Sequence, residues 1–206
     1  MDTIVPFDAT TPKTRLAPVL DAEERRTFAR AMLEDVLGTL APTPADPLVL
    51  ATAPVDCTAA VEVDDRPLTG AVNDHLRHGS GPTAVVMADL ALATPASVER
   101  LFVPGAGVTL VPGRGGGTNA LVARDPAFRV DYHGASFRDH RRTAESVDAS
   151  VATVDSFRLS TDVDEPADLV EVLLHAPDGA AGAWLADRGF EVAVEGDDER
   201  VVARQS

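Results

Sequence analysis

Four places in this chain combine residue types and spacings that could do chemistry. Pro12-Lys13-Thr14-Arg15-Leu16 holds the single lysine; the 18 Lys and Arg are otherwise arginines, against 33 Asp and Glu. A chain that uses Arg wherever charge suffices keeps Lys where a compact, flexible ammonium is needed. The usual need is a phosphate cluster met as a point charge. Chance survival on a solvated turn is the competing account. Asp89 follows the buried-type run Thr83–Met87. There a carboxylate can hold Mg²⁺ against a nucleotide phosphate, or simply shape a turn. Pro112-Gly113-Arg114-Gly115-Gly116-Gly117-Thr118-Asn119 lets backbone approach a ligand closely and adds a cation; a flexible surface turn is the other reading. In Asp162-Val163-Asp164-Glu165-Pro166, Asp164 has a helix-capping role open to it. Asp162 has none and can face a metal.

The elements that must position these residues alternate between strand and helix. Strands are expected at Thr3–Pro6, Leu48–Thr52, Ala59–Val63, Thr83–Met87, Val108–Val111, Asn119–Ala123 and Ser150–Val154. Asp21 and Glu24 form a capping-box start, followed by Phe28, Met32, Val36 and Leu40 at helical spacing. Further helices are expected at Leu68–Leu76, Ser97–Leu101, Ser136–Glu145 and Glu165–Leu174, the last begun by Asp164 and Pro166. The pattern predicts an α/β three-layer sandwich around a mostly parallel, Rossmann-like sheet, with ligands at the strand C-terminal ends. Residues 1–176 read as this domain. Residues 177–206 read as an appendage: a helix with Trp184, then a hairpin pairing Phe190–Val194 with Val201–Ala203. Trp184 and Phe190 need burial, and a homodimer interface is where the sequence leads one to expect it.

The formal net charge is −15. Scarce Lys and few aromatics suit a high-salt cytoplasm, where an acidic surface keeps a protein soluble; an ordinary acidic bacterial protein is the other account. With no basic stripe, nucleic acid is excluded as a general partner. No apolar run reaches membrane-spanning length and no signal pattern opens the chain, so a cytoplasmic location is expected. One cysteine, Cys57, excludes an intrachain disulfide and a Cys-based zinc cluster. The five histidines form no His-x-x-x-His pair. Arg138, Arg141 and Arg142 are either a solvated helix face paired with Asp139 and Glu145 or a site for a phosphorylated acid.

Taken in order, PKTRLAPVL, ADLAL, GRGGGTNAL, YHGASFRDH and DVDEPADL resemble the 2-phospho-L-lactate guanylyltransferase family of the MobA-like nucleotidyltransferases, over roughly Ile4 to Leu174. DVDEPADL and ADLAL are shared widely among nucleotidyltransferases; PKTRLAPVL with GGGTNAL and Ser-Phe-x-x-His is more specific. The resemblance implies transfer of GMP from GTP to 2-phospho-L-lactate, giving lactyl-diphosphoguanosine and pyrophosphate for coenzyme F-420. Phosphoenolpyruvate or 3-phosphoglycerate are alternative acids. A molybdenum-cofactor or sugar-type nucleotidyltransferase, and a nucleotide-binding regulatory domain, are alternative functions. By position it implies that Lys13 and Arg15 hold GTP phosphates and, with Asp89, carry catalysis. Asp89 and Asp162 (or Asp164) would bind Mg²⁺, while Thr118, Gly134 and Ser136 bind the acid. Asp8 departs from the pattern, because an acid beside a triphosphate is unfavourable.

Overall fold

Apolar runs without polar alternation form the middle of a seven-stranded sheet. In a computed structural model, residues 1–196 and 200–205 are described. The strands are β1 (Asp2–Phe7), β2 (Asp46–Ala51), β3 (Ala60–Val63), β4 (Thr83–Val86), β5 (Val108–Pro112), β6 (Thr118–Ala123) and β7 (Val151–Thr153). They lie in the order β3-β2-β1-β4-β6-β5-β7. Every residue of β4 and β6 is buried, as befits strands covered on both faces. The sheet is mostly parallel, as expected, with β6 antiparallel to both β4 and β5. The glycine loop causes this reversal. Gly113 N–H donates to Gly117 O at 2.8 Å and Gly116 N–H to Gly113 O at 3.0 Å, with Gly116 at φ +90°. The loop thus turns β5 directly back into its neighbour and brings Thr118 to the edge where β1, β2 and β4 end. The register then steps from Val111 opposite Ala120 to Pro112 opposite Thr118, leaving Asn119 as the extra residue of a bulge.

The helices are α1 (Ala22–Leu40), α2 (Leu68–His78), α3 (Pro95–Phe102), α4 (Ser136–Ser146), α5 (Phe157–Ser160), α6 (Leu169–His175) and α7 (Ala180–Asp187). One sheet face packs against α1, α3, α5 and α6, the other against α2 and α4. The start of α1 is as the sequence predicts: Asp21 accepts from Glu23 and Glu24 N–H, and Glu24 accepts from Asp21 N–H. Phe28, Met32, Val36 and Leu40 are all buried, each contributing roughly 1.5–3 kcal/mol.

One expectation is corrected, and another is met in a way the sequence did not show. Within the tail, Trp184 and Phe190 find packing partners in the same chain, while Val192, Val194 and Val201 of the hairpin stay exposed. After α7, β8 (Phe190–Glu195) and β9 (Arg200–Gln205) form the expected hairpin. Phe190, Ala181 and Leu185 join the apolar core beneath α1. The Trp184 ring lies 5.1 Å from that of Phe28, and its Nε1 donates to Thr27 Oγ1 at 3.1 Å. Arg188 stacks 3.7 Å over the ring. Asp35 of α1 accepts from Ala180 and Ala181 N–H, capping α7 from outside the tail. The correction concerns Asp164, which does not cap the helix that follows it. Glu165 takes that place ahead of Pro166, reciprocated by Asp168. The Asp164 carboxylate is thereby released for other partners.

Candidate active site

Leu16, wholly buried, pins the loop after β1, and Lys13 precedes it in a left-handed conformation, φ +54°. For a non-glycine residue this costs about 1–2 kcal/mol, so the surroundings must over-determine it. They do: Lys13 Nζ donates to Asp89 Oδ2 and to Asp164 Oδ1, both at 2.6 Å. Burial alone would lower the lysine pKa, but the two carboxylates outweigh it and hold the ammonium charged above its usual range. Arg15 reaches Asp164 Oδ2 at 3.2 Å from the solvent side. Asp8 is explained by its partners. Its Oδ1 accepts from Thr10 N–H and Oγ1, Thr11 N–H and Thr52 Oγ1. Burial would raise its pKa, yet these bonds together lower it. Asp8 organises the loop from within.

Asp89 Oδ1 is buried and has no hydrogen-bond partner. Such an oxygen is costly to bury unless something else meets it. Asp162 lies within reach of the Asp89 charge: burial, then that charge, raise its pKa. Val163 N–H donates to Asp89 O at 3.2 Å, tying the two segments together. Asn119 fixes Asp162, with Nδ2 donating to Asp162 Oδ1 at 3.0 Å and to Leu159 O at 3.1 Å. A Cβ on Gly113 would meet Asn119 Oδ1 at 2.3 Å, so any side chain there would push Asn119 out of its contact with Asp162. No group of three or more His, Cys, Asp or Glu forms a cage for a metal among the described residues. An orphaned carboxylate oxygen near a second carboxylate whose pKa burial and a neighbouring charge raise suits Mg²⁺, which takes one or two carboxylates and leaves its remaining positions to water and phosphate.

Thr118 and Ser136 lie together on the other side of the glycine loop. Thr118 N–H donates to Ser136 Oγ at 3.0 Å, and His140 Nδ1 lies 2.9 Å from Thr118 Oγ1. Both residues are buried. Gly134 is in open space, its carbonyl 3.3 Å from where a Cβ on Gly116 would stand. Phe137 N–H donates to Gly116 O, fastening the start of α4 to the loop. Arg114 lines a hollow with Arg15, Asp162 and Asp164. A second hollow, lined by Phe7, Met32, Lys13 and Asp89, lies beneath the Lys13 loop. Arg138 and Arg142 are exposed and paired with Asp139, the solvated-face account. Lys13, Arg15, Asp89, Asp162 and Asp164 are thus brought together, while Thr118, Gly134 and Ser136 form a neighbouring group. Sequence reasoning missed the roles of Asn119 and His140. For His140 a signal existed, its four-residue spacing from Ser136 on one helix face.

A family model described as "Guanylyl transferase CofC like" matches residues 1–205. The chain belongs to this family. It is similar to a 2-phospho-L-lactate guanylyltransferase of Halomicrobium mukohataei, 60% identical over 94% of this chain and 95% of the relative. The protein of the same description from Haloarcula marismortui is 57% identical over 93% and 94%. Among solved structures, a protein of Desulfovibrio desulfuricans G20 ascribed to the nucleotide-diphospho-sugar transferases aligns with a TM-score of 0.73 at 16% identity. The alignment covers 91% of this chain and 94% of that one. A CMP:2-keto-3-deoxy-manno-octonic acid synthetase in complex with CTP aligns at TM-score 0.55 and 13% identity, over 85% and 98%. These two likenesses fix the fold as that of the nucleotidyltransferases.

Proposed function

We propose that this family member joins GTP to 2-phospho-L-lactate, releasing pyrophosphate, as a step of coenzyme F-420 biosynthesis in the cytoplasm. The observation that carries the reading is the Lys13 ammonium held between Asp89 and Asp164 beside an unpartnered Asp89 oxygen. Such a centre suits a polyphosphate and its counter-cation, and the haloarchaeal relatives supply the identity of the substrates. A phosphate oxygen of the acid attacks the α-phosphorus of GTP. The bond from that phosphorus to the bridging oxygen breaks, and pyrophosphate leaves with the electron pair. The protein's task is alignment and charge compensation rather than covalent chemistry. Lys13 and Arg15 bind the triphosphate, and backbone and hydroxyls around Thr118, Gly134 and Ser136 seat the acid. Asp89 and Asp162 would hold Mg²⁺, since Asp164 is engaged by the two cations. A magnesium ion there would supply Lewis-acid neutralisation of the phosphate charge.

Pyrophosphate release, measured with each NTP, Mg²⁺ and 2-phospho-L-lactate, phosphoenolpyruvate or 3-phosphoglycerate, tests the reading. GTP with 2-phospho-L-lactate is expected to be fastest. Faster turnover with another nucleotide or acid would replace that substrate, and no release with any pair would end the proposal. We also read the acidic surface as an adaptation to high salt: removing molar KCl should lower the melting temperature by several degrees, as like charges repel over a longer range. An unchanged melting temperature would refute it.

A further inference from the structure

His140 stands behind Thr118 and Ser136 with no exposed surface. Its Nε2 lies 2.8 Å from the backbone nitrogen of Asp131, which can only donate. Nε2 is therefore a bare acceptor, and the neutral ring carries its proton on Nδ1. Burial, against the opposing pull of Asp131, keeps the ring neutral, with a pKa brought down to about 4. Nδ1–H consequently donates to Thr118 Oγ1 at 2.9 Å. The rings of Phe128 and Tyr132 meet the imidazole edge-to-face, at 6.1 and 5.1 Å, and fix its plane.

Counting protons gives the direction of the network. Ser136 Oγ accepts from Thr118 N–H, and the two hydroxyls stand 3.5 Å apart. They share at most one hydrogen bond. Whichever hydroxyl donates, the other's proton has no acceptor among the described residues. A buried hydroxyl proton without an acceptor, beside a glycine loop fastened to a helix start, is a donor awaiting an anion.

We propose that His140 is a positioning residue for the acceptor acid: its Nδ1–H occupies the inner lone pair of the Thr118 hydroxyl and turns the free hydroxyl proton of the Thr118–Ser136 pair toward the bound anion. The order of donation runs from Asp131 N–H through the ring to the threonine and outward, each bond polarising the next. This rests on the reading that Thr118 and Ser136 seat the acid.

The test combines ¹⁵N spectra of the His140 ring in the wild-type enzyme at neutral pH with kinetics of His140→Asn, His140→Leu and Thr118→Val. The spectra should show a protonated Nδ1 and a bare Nε2. Asn keeps an amide donor at the place of Nδ1 and Leu keeps none, while both orphan Asp131 N–H, so both should lose similar stability. Only His140→Leu should raise KM for 2-phospho-L-lactate, by about tenfold or more, with KM for GTP unchanged. A proton on Nε2, or equal acid KM values for the Asn and Leu variants, overturns the inference. An unchanged acid KM in Thr118→Val overturns the acid-site reading beneath it. An effect of Thr118→Val without one of His140→Leu overturns the inference alone. Should the variants fail to fold, the wild-type spectra still decide the tautomer.

Discussion

Two regions meet at the start of β6 and are built by opposite means. Around Lys13 the groups are ions: one ammonium bridges two carboxylates, a guanidinium joins from solvent, and these contacts hold Lys13 at a strained φ of +54°. Around His140 the groups are neutral and buried, and hydrogen bonds together with the edge-on rings of Phe128 and Tyr132 set their directions. Charges suit a triphosphate, whose partner must tolerate changes in counter-ion. A neutral, directional network suits a small acid, which must be told from others of equal charge. The difference teaches that, on the proposed reading, affinity for charge and selection by shape would fall to separate walls of one site.

The strongest blow to the ionic wall is Asp89→Asn. An amide is a poor Mg²⁺ ligand, and several kcal/mol of charge stabilisation are at stake. We expect turnover to fall by about a hundredfold or more at limiting Mg²⁺, with the fold retained by circular dichroism. Near-normal turnover would remove Asp89 from the metal site.

The neutral wall is exposed by acid. Folded His140 titrates near 4 against 6.5 when free. Between these values the unfolded chain binds the proton and the folded chain does not. Stability is therefore complete above about pH 6.5 and falls as pH drops toward 4, by on the order of 3 kcal/mol. Urea unfolding at stepped pH should show this decline in the wild type and less of it in His140→Gln. Equal slopes would mean the ring is not held neutral.

The smallest effect separates the two walls most cleanly. In Lys13→Arg a wider, planar head must fit between Asp89 and Asp164. Loss of about tenfold in kcat/KM for GTP, roughly 1.4 kcal/mol, is expected, with the acid KM unchanged. Wild-type kinetics would make the lone lysine an accident of composition.

The ionic wall was largely legible in the sequence because its chemistry lies in residue types. A single Lys in an acidic chain, and carboxylates after a buried strand and before a Pro-started helix, mark themselves. Their partnership was not legible, because Lys13 meets acids 76 and 151 positions away. That Glu165 rather than Asp164 takes the cap, leaving Asp164 to Lys13 and Arg15, also needed the fold. The long apolar periodicity of α1 and the runs of β4 and β6 announced the layers. Strand direction did not announce itself: nothing in Thr118–Ala123 says that it runs backwards. The four-residue α5 is too short for periodicity to reveal. Trp184 and Phe190 told of a need for burial but not of where it would be met, which is against α1 of the same chain.

The bulge at Asn119 bears on what this loop tolerates in length. Ala120 and Val122 point into the core beneath α1, while Leu121 points to the side of α2 and α4. Simple alternation would put Thr118 with Ala120, yet it bonds to Ser136 and His140 of α4. The extra residue shifts the phase, so that Thr118 faces one layer and Asn119 reaches Asp162 and Leu159 in the other. Surface turns ordinarily absorb insertions and deletions. This one counts its residues: deleting Asn119 would leave Thr118 facing α4 but remove the side chain that reaches Asp162 and Leu159, whereas taking a residue from the glycines and letting 118–120 alternate plainly would turn Thr118 to the α1 side. Length, more than glycine content, is what this turn has to keep.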